Sequence, residues 1–159
     1  MKISYRKAQE EDISDIYSFI IELARYERLE HEVVASEESL KETLFGEHPY
    51  AEVVLAEADG KGAGFVLFFH NYSTFLAKPG IYIEDLYVRP EFRGKGLGKG
   101  LLSYIASIAL ERKCGRVEWW VLNWNPARRF YESIGARAMN EWVVYRLTGD
   151  HLVNLGSEN

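Results

Sequence analysis

The spacing of apolar and polar positions changes several times along the chain, and each change marks an element. Residues 2–8 alternate and predict a first strand. Glu10-Glu11-Asp12 then opens a helix, with acids at its positive end. Ile13, Ile16, Tyr17, Ile20, Leu23 and Ala24 recur at helical spacing, and the pattern fades near Arg28. Ser36-Glu37-Glu38-Ser39 has the form of a helix cap, and Gly46 ends the short helix behind it. Three apolar runs follow, at 53–58, 63–72 and 80–88. The first two are separated by Asp59-Gly60-Lys61-Gly62, a hairpin turn. Helical spacing returns over 97–112, where Leu97, Leu101, Ile105 and Ile108/Ala109 form a stripe, and Gly115 stops it. A strand is expected at 116–122, a short helix carrying Phe130 and Tyr131 after Pro126, and a last strand at 142–147. The polar remainder reads as a frayed turn.

The order β-α-α-β-β-β-α-β-α-β shows no repeat and no linker, so one domain over residues 1–159 is expected. Three consecutive strands make an antiparallel meander, and the strand–helix–strand behind them a parallel crossover. The fold class is α/β in the mixed α+β sense. It is expected to be a mostly antiparallel sheet of six or seven strands with helices on both faces.

Composition narrows the partners. Hydrophobic residues make up 47% of the chain, which places it among globular proteins. The formal charge of −5 argues against sequence-independent nucleic-acid binding and suits a cationic substrate better. Cys114 is the sole cysteine, so no intrachain disulfide is possible. The N-terminus lacks an apolar signal core and no run approaches a membrane span, so a cytoplasmic protein without membrane contact is expected. Cys114 and the histidines show no ligand spacing, so no metal is inferred.

The most informative stretch is Arg93-Gly94-Lys95-Gly96-Leu97-Gly98, placed between a strand and a helix. Such a turn collects unpaired backbone N–H groups at the positive end of a helix dipole, and an anion fits there. Arg93, Lys95 and Lys99 add positive charge. The spacing is neither that of a P-loop nor G-x-G-x-x-G, and a plain glycine turn without ligand stays open on the loop alone.

Residues 88–98, Val88-Arg89-Pro90-Glu91-Phe92-Arg93-Gly94-Lys95-Gly96-Leu97-Gly98, resemble the acetyl-CoA loop of the GNAT N-acetyltransferases. Asn125-Pro126-Ala127-Arg128-Arg129-Phe130-Tyr131-Glu132-Ser133-Ile134-Gly135-Ala136 is similar to the family's second block. Ala24-Arg25-Tyr26-Glu27, Phe45-Gly46-Glu47-His48-Pro49, residues 82–88 and Trp124-Asn125 resemble the branch of spermidine/spermine (diamine) and thialysine acetyltransferases. The likeness covers nearly the whole chain.

The resemblance implies a single GNAT domain whose fourth and fifth strands splay apart. Backbone groups of Leu86, Tyr87 and Val88 would bind the acetyl carbonyl and pantetheine arm. Backbone groups of Arg93, Gly94, Lys95, Gly96, Leu97, Gly98 and Lys99 would hold the pyrophosphate, with Asn125, Ala127, Arg128 and Tyr131 completing the acetyl-CoA site. Tyr131 is the expected general acid, since a phenol with a pKa of about 10 keeps its proton at pH 7; a core tyrosine beside Phe130 is the alternative. Glu84 is the expected base, acting through a water. Strand alternation sends Asp85 to the opposite face from Glu84.

Tyr26, Glu27 and Glu141 match family positions around the substrate, and Phe75 stands where the polyamine enzymes carry a Trp. Glu118, Trp119 and Trp120 lie on the strand beyond the cofactor and join Glu84 and Asp85 as candidates for a cationic amine. The implied protein is a homodimer that moves an acetyl group from acetyl-CoA to a primary amine of a polyamine or a lysine-like amino acid. A protein amine or aminoglycoside as acceptor, and a non-catalytic acyl-CoA-binding module, are the competing readings.

Overall fold

Val53 to Ala58 and the apolar run after Gly62 are too long and too continuous to be exposed on both sides, so they form the middle of a sheet. A computed structural model, which describes residues 1–158, shows that sheet in the order β1-β2-β3-β4-β5. The strands are β1 (Ile3–Lys7), β2 (Glu52–Ala58), β3 (Lys61–Ser73), β4 (Lys78–Val88) and β5 (Val117–Trp119). The first four pair antiparallel, and β5 runs parallel to β4. Asp59 (φ 50°) and Gly60 (φ 79°) both adopt the left-handed conformation that a two-residue hairpin requires.

Helices cover both faces. On one, α1 (Ile13–Tyr26) and α2 (Glu37–Phe45) set Ile16, Phe19 and Leu44 against Val53, Leu55, Phe65, Leu67 and Tyr87. Phe19 and Phe65 stack at 5.4 Å. Each fully buried side chain of this size stabilises the fold by roughly 1.5–3 kcal/mol. The alternate residues Val54, Val66 and Ile81 are buried on the other face, which α3 (Leu97–Glu111) covers with Leu97, Leu101 and Ile105. The end of α3 is tied to β2 by Arg112, which donates from both terminal nitrogens to Glu52 at 2.7 and 2.9 Å.

Contacts divide the chain into two compact units, Met1–Leu122 and the residues from Asn123 onward. The second unit contains α4 (Ala127–Ser133) and α5 (Gly149–Gly156). Asn125 Oδ1 accepts the Ala127 N–H at 2.9 Å, an Asx turn that leads the chain through Pro126 into α4.

Three expectations are corrected. Among the described residues the sheet has five strands and not six or seven. The expected strand at 116–122 is laddered only over Val117–Trp119, and residues 142–147 form no ladder among the described residues. A strand needs a neighbour as well as the right side chains, and among the described residues neither 120–122 nor 142–147 has a ladder partner. The expected frayed turn at the end is the helix α5, whose Leu152, Val153 and Leu155 recur at helical spacing. The parting of β4 and β5 is observed: their pairing ends at Ile83 with Trp119, while β4 continues to Val88.

Candidate active site

The glycine loop turns the chain from β4 into α3. Gly94 (φ 74°) and Gly96 (φ 86°) are left-handed, and a Cβ at either would meet open space. Glycine is therefore required by backbone conformation, not by crowding. The first helical bond of α3 runs from the Gly100 N–H to the Gly96 carbonyl at 2.9 Å, so the amides of Leu97, Gly98 and Lys99 precede the ladder. Amides that precede the ladder at a helix start suit an anion. Leu97 contributes its backbone only, because its side chain is buried in the core.

Arg93 does more than add charge. Its Nε donates to the Val88 carbonyl at 2.8 Å, and its guanidinium lies over the rings of Tyr26 (5.2 Å) and Tyr87 (5.5 Å). It thus fastens the loop to the last turn of α1. Lys95 reaches back to the Glu91 carbonyl at 3.2 Å. The Tyr87 side chain belongs to the core and donates to Glu22 at 3.5 Å, so only its backbone is available to a ligand.

The second feature is an irregularity in β4. Leu67 pairs with Asp85 and Phe68 with Ile83, which leaves Glu84 as an extra residue. This bulge breaks the strict alternation that would set Glu84 and Asp85 on opposite faces. Glu84 is exposed, while Asp85 lies on the α1 face, in register with Leu67. Burial, then the charges of Glu84 and Glu27, push Asp85 up to about 7. Burial and Glu84 also raise Glu27, at the end of α1. Three carboxylates therefore repel one another beside the glycine loop, an arrangement relieved by a proton or a bound cation.

Further along the same face stand Phe69, Tyr82, Glu118 and Trp120. Tyr82 is in register with Phe69 on one side and Glu118 on the other. Its ring packs on Phe69 at 5.2 Å and edge-on to Trp120 at 5.7 Å. Burial and the nearby acids Glu84, Asp85 and Glu118 push the Tyr82 phenol up to about 12. Glu118 is half-buried, paired with Arg116 at 3.1 Å, and accepts from Asn71 at 3.4 Å. Sequence reasoning missed Phe69 and Tyr82, because only the strand register shows that they share a face with the acids.

Two expected site residues of the first unit, Phe75 and Trp119, are not brought to this cluster. Phe75 is fully exposed at the β3–β4 turn. The seven residue steps from Lys78 to Asp85 separate that turn from the acids by roughly 23 Å of strand. Trp119, in register with Ile83, faces away from Trp120. In the second unit, Tyr131 packs against Phe130 at 5.8 Å, Arg128 donates to the Asn123 carbonyl at 2.9 Å, and Glu141 is exposed in a turn.

Comparison with known proteins agrees with this architecture. Residues 13–136 match the acetyltransferase (GNAT) family, a span that includes the bulge, the glycine loop and α4. The thialysine N-epsilon-acetyltransferase of Mus musculus is 36% identical, with 94% of this chain and 95% of the relative aligned. An L-ornithine N5-acetyltransferase of Arabidopsis thaliana is also 36% identical, over 92% of this chain and 85% of the relative. Among solved structures, an integron cassette protein from the mobile metagenome of V. cholerae superposes with a TM-score of 0.82 at 31% identity, covering 98% of both chains.

Proposed function

The chain belongs to the acetyltransferase (GNAT) family and is an N-acetyltransferase, and from that premise we propose that it acetylates a primary amine of a small substrate carrying a second positive charge. Acetyl-CoA is the proposed donor and supplies an activated thioester. The acceptor class is a diamine, a polyamine or a lysine-like amino acid. Relatives named for thialysine and L-ornithine support that class.

The observation that carries the proposal is the triplet Glu27, Glu84 and Asp85 at the β4 bulge. A primary ammonium has a pKa near 10 and must lose its proton before its nitrogen can attack. Asp85, which burial and its acidic neighbours push up to about 7, receives that proton, with Glu84 beside it facing the incoming amine. Glu27 holds the ammonium in place beforehand. The Leu86 amide, where β4 has no β5 partner, is free of that ladder to donate to the carbonyl oxygen as charge develops there. Tyr131 is the proposed proton donor to the departing thiolate, leaving a free thiol and a neutral amide.

Glu118, with the rings of Phe69, Tyr82 and Trp120, receives the second cation. It is in register with Tyr82, three residues before Asp85, which places it about 10 Å from the reaction centre. An aromatic wall with a carboxylate at each end matches a short dication.

The test is thiol release from acetyl-CoA with a panel of diamines, basic amino acids and monoamines of equal length. The expected result is a kcat/KM at least tenfold higher for the dications. Equal values for dications and monoamines overturn the acceptor class.

A further inference from the structure

Glu118 does not stand alone at its end of the aromatic wall. The Ile81 N–H donates to the Arg116 carbonyl at 3.0 Å, so Arg116 continues the β4–β5 ladder, two residues before Glu118. Strand alternation puts both side chains on one face, and Arg116 Nε approaches Glu118 Oε1 to 3.1 Å. On β3, Asn71 is two residues beyond Phe69 on that same face, and its Nδ2 donates to the same Glu118 oxygen at 3.4 Å. Gly80, in register with Asn71, leaves room for this amide, since a Cβ there would collide with Asn71 Oδ1. A guanidinium, a carboxylate and an amide thus meet within the unit Met1–Leu122.

The two charges decide what this end of the wall accepts. The ammonium of a polyamine is positive only, so what it gains from Glu118 it loses to Arg116. A head group with both signs gains from both. The guanidinium has a planar fork of N–H donors that takes a carboxylate through two parallel bonds. The carboxylate takes an ammonium. An α-amino acid carries these two groups on one carbon. A partly exposed ion pair contributes little to stability, so it opens readily to admit such a ligand.

Resting on the acceptor class proposed above, we propose that Arg116, Glu118 and Asn71 form a head-group site for a free basic amino acid, whose side-chain amine is the group acetylated. Glu118 takes the α-ammonium and Arg116 the α-carboxylate, while Asn71 fixes the Glu118 carboxylate. The length agrees. Glu118 is about 10 Å along the strand from the reaction centre. Three or four methylenes span about 5–6 Å, and a hydrogen bond of about 3 Å at the head closes most of the remainder. Arg116 is then the specificity-determining residue that turns a site for dications into one for basic amino acids.

The experiment measures kcat/KM with acetyl-CoA and, separately, equilibrium binding by calorimetry in the presence of coenzyme A. The compounds are L-lysine, L-ornithine, L-lysinamide, 1,5-diaminopentane and 6-aminohexanoate. The better of the two amino acids should exceed the amide, the diamine and the ω-amino acid by about tenfold in both measurements. Arg116→Gln should lower kcat/KM for the amino acids about tenfold and raise it for the diamine, because Glu118 is then unopposed. Arg116→Lys should retain part of the preference. A wild-type enzyme that prefers the diamine, or treats lysine and lysinamide alike, overturns the head-group site and leaves the dication reading standing. So does an equal loss for amino acid and diamine in Arg116→Gln. If no dication is turned over, it is the dication reading that fails, and binding still decides the head-group site: amino-acid affinity that Arg116→Gln abolishes supports it, and affinity that is absent or unaltered overturns it.

Discussion

The Arg93 guanidinium sits 5.2 Å from the Tyr26 ring centroid while its Nε holds the Val88 carbonyl at 2.8 Å. One side chain therefore joins the glycine loop, the end of β4 and the last turn of α1, which also carries Glu27. The proposed donor and acceptor sites share this support. An exposed cation–π contact is worth about 0.5–1 kcal/mol and a charge-assisted hydrogen bond about 1.5–3 kcal/mol. Arg93→Ala is expected to raise KM for acetyl-CoA roughly 5- to 30-fold with little change in thermal stability. Tyr26→Ala should give a smaller rise and Tyr26→Phe none. Two-substrate steady-state kinetics measure all three, and an unchanged KM in Arg93→Ala refutes the support role.

The two glycines of the loop and helix make different demands. A Cβ at Gly96 meets nothing, so Gly96→Ala is strained only by its left-handed backbone, about 1–2 kcal/mol. A Cβ at Gly100 would lie 1.8 Å from the Tyr5 hydroxyl, because α3 packs directly on β1 there. Gly100→Ala should therefore lower stability by about 1–3 kcal/mol through overpacking. The loss should be largely absent in a Tyr5→Ala background, whereas the effect of Gly96→Ala should persist there. Chemical denaturation of the three single and two double variants decides between strain and clash.

Asp85 links stability and binding to protons. Its carboxyl is raised from 3.8 to about 7 by burial first, then by Glu84 and Glu27. The folded state holds a proton that the unfolded chain releases. The stability this provides is complete below the unfolded value and is lost as pH rises towards about 7. Asp85→Asn should therefore be more stable than the parent by roughly 2–4 kcal/mol at pH 8 and alike at pH 4. A dication bound at pH 6.5 should displace that proton. Calorimetry in buffers of different ionisation enthalpy should show proton release that vanishes in the variant.

Charge at the two ends of the aromatic wall should separate by substrate. Glu27→Gln should raise KM for every amine. Glu118→Gln should raise KM about tenfold for dications while leaving monoamines unchanged, because it also exposes Arg116, paired with Glu118 at 3.1 Å. Equal effects of Glu118→Gln on both classes would count against a distal cation site.

Tyr131→Phe tests the proton donor. General acid catalysis contributes on the order of 10²–10⁴ in rate. Turnover should fall by such a factor while acetyl-CoA affinity, measured by equilibrium binding, stays within about twofold. Unchanged turnover assigns Tyr131 to packing beside Phe130.

Local chemistry made much of this molecule legible in its sequence. Helical spacing located α1 and α3, the Asp59-Gly60 turn located the β2–β3 hairpin, and the glycine stretch located the turn from β4 into α3. These features depend on neighbours a few residues apart, which the sequence records directly. The acids Glu27, Glu84 and Asp85 were also visible as residues. Their mutual repulsion was not, because it depends on a bulge set by how β3 pairs with β4.

Residues 142–147 show the same limit from the other side. Their alternation specifies a strand, but a strand exists only where another backbone accepts its hydrogen bonds. The sequence by itself determined α1 to α4, the hairpin, the glycine turn into α3 and which stretches are able to be strands, since propensity and spacing are local properties. Tertiary structure alone decided which strands find neighbours, that Phe69 and Tyr82 share a face with Glu118, and that Arg93 turns onto Tyr26. Each of those depends on register between residues far apart in the chain.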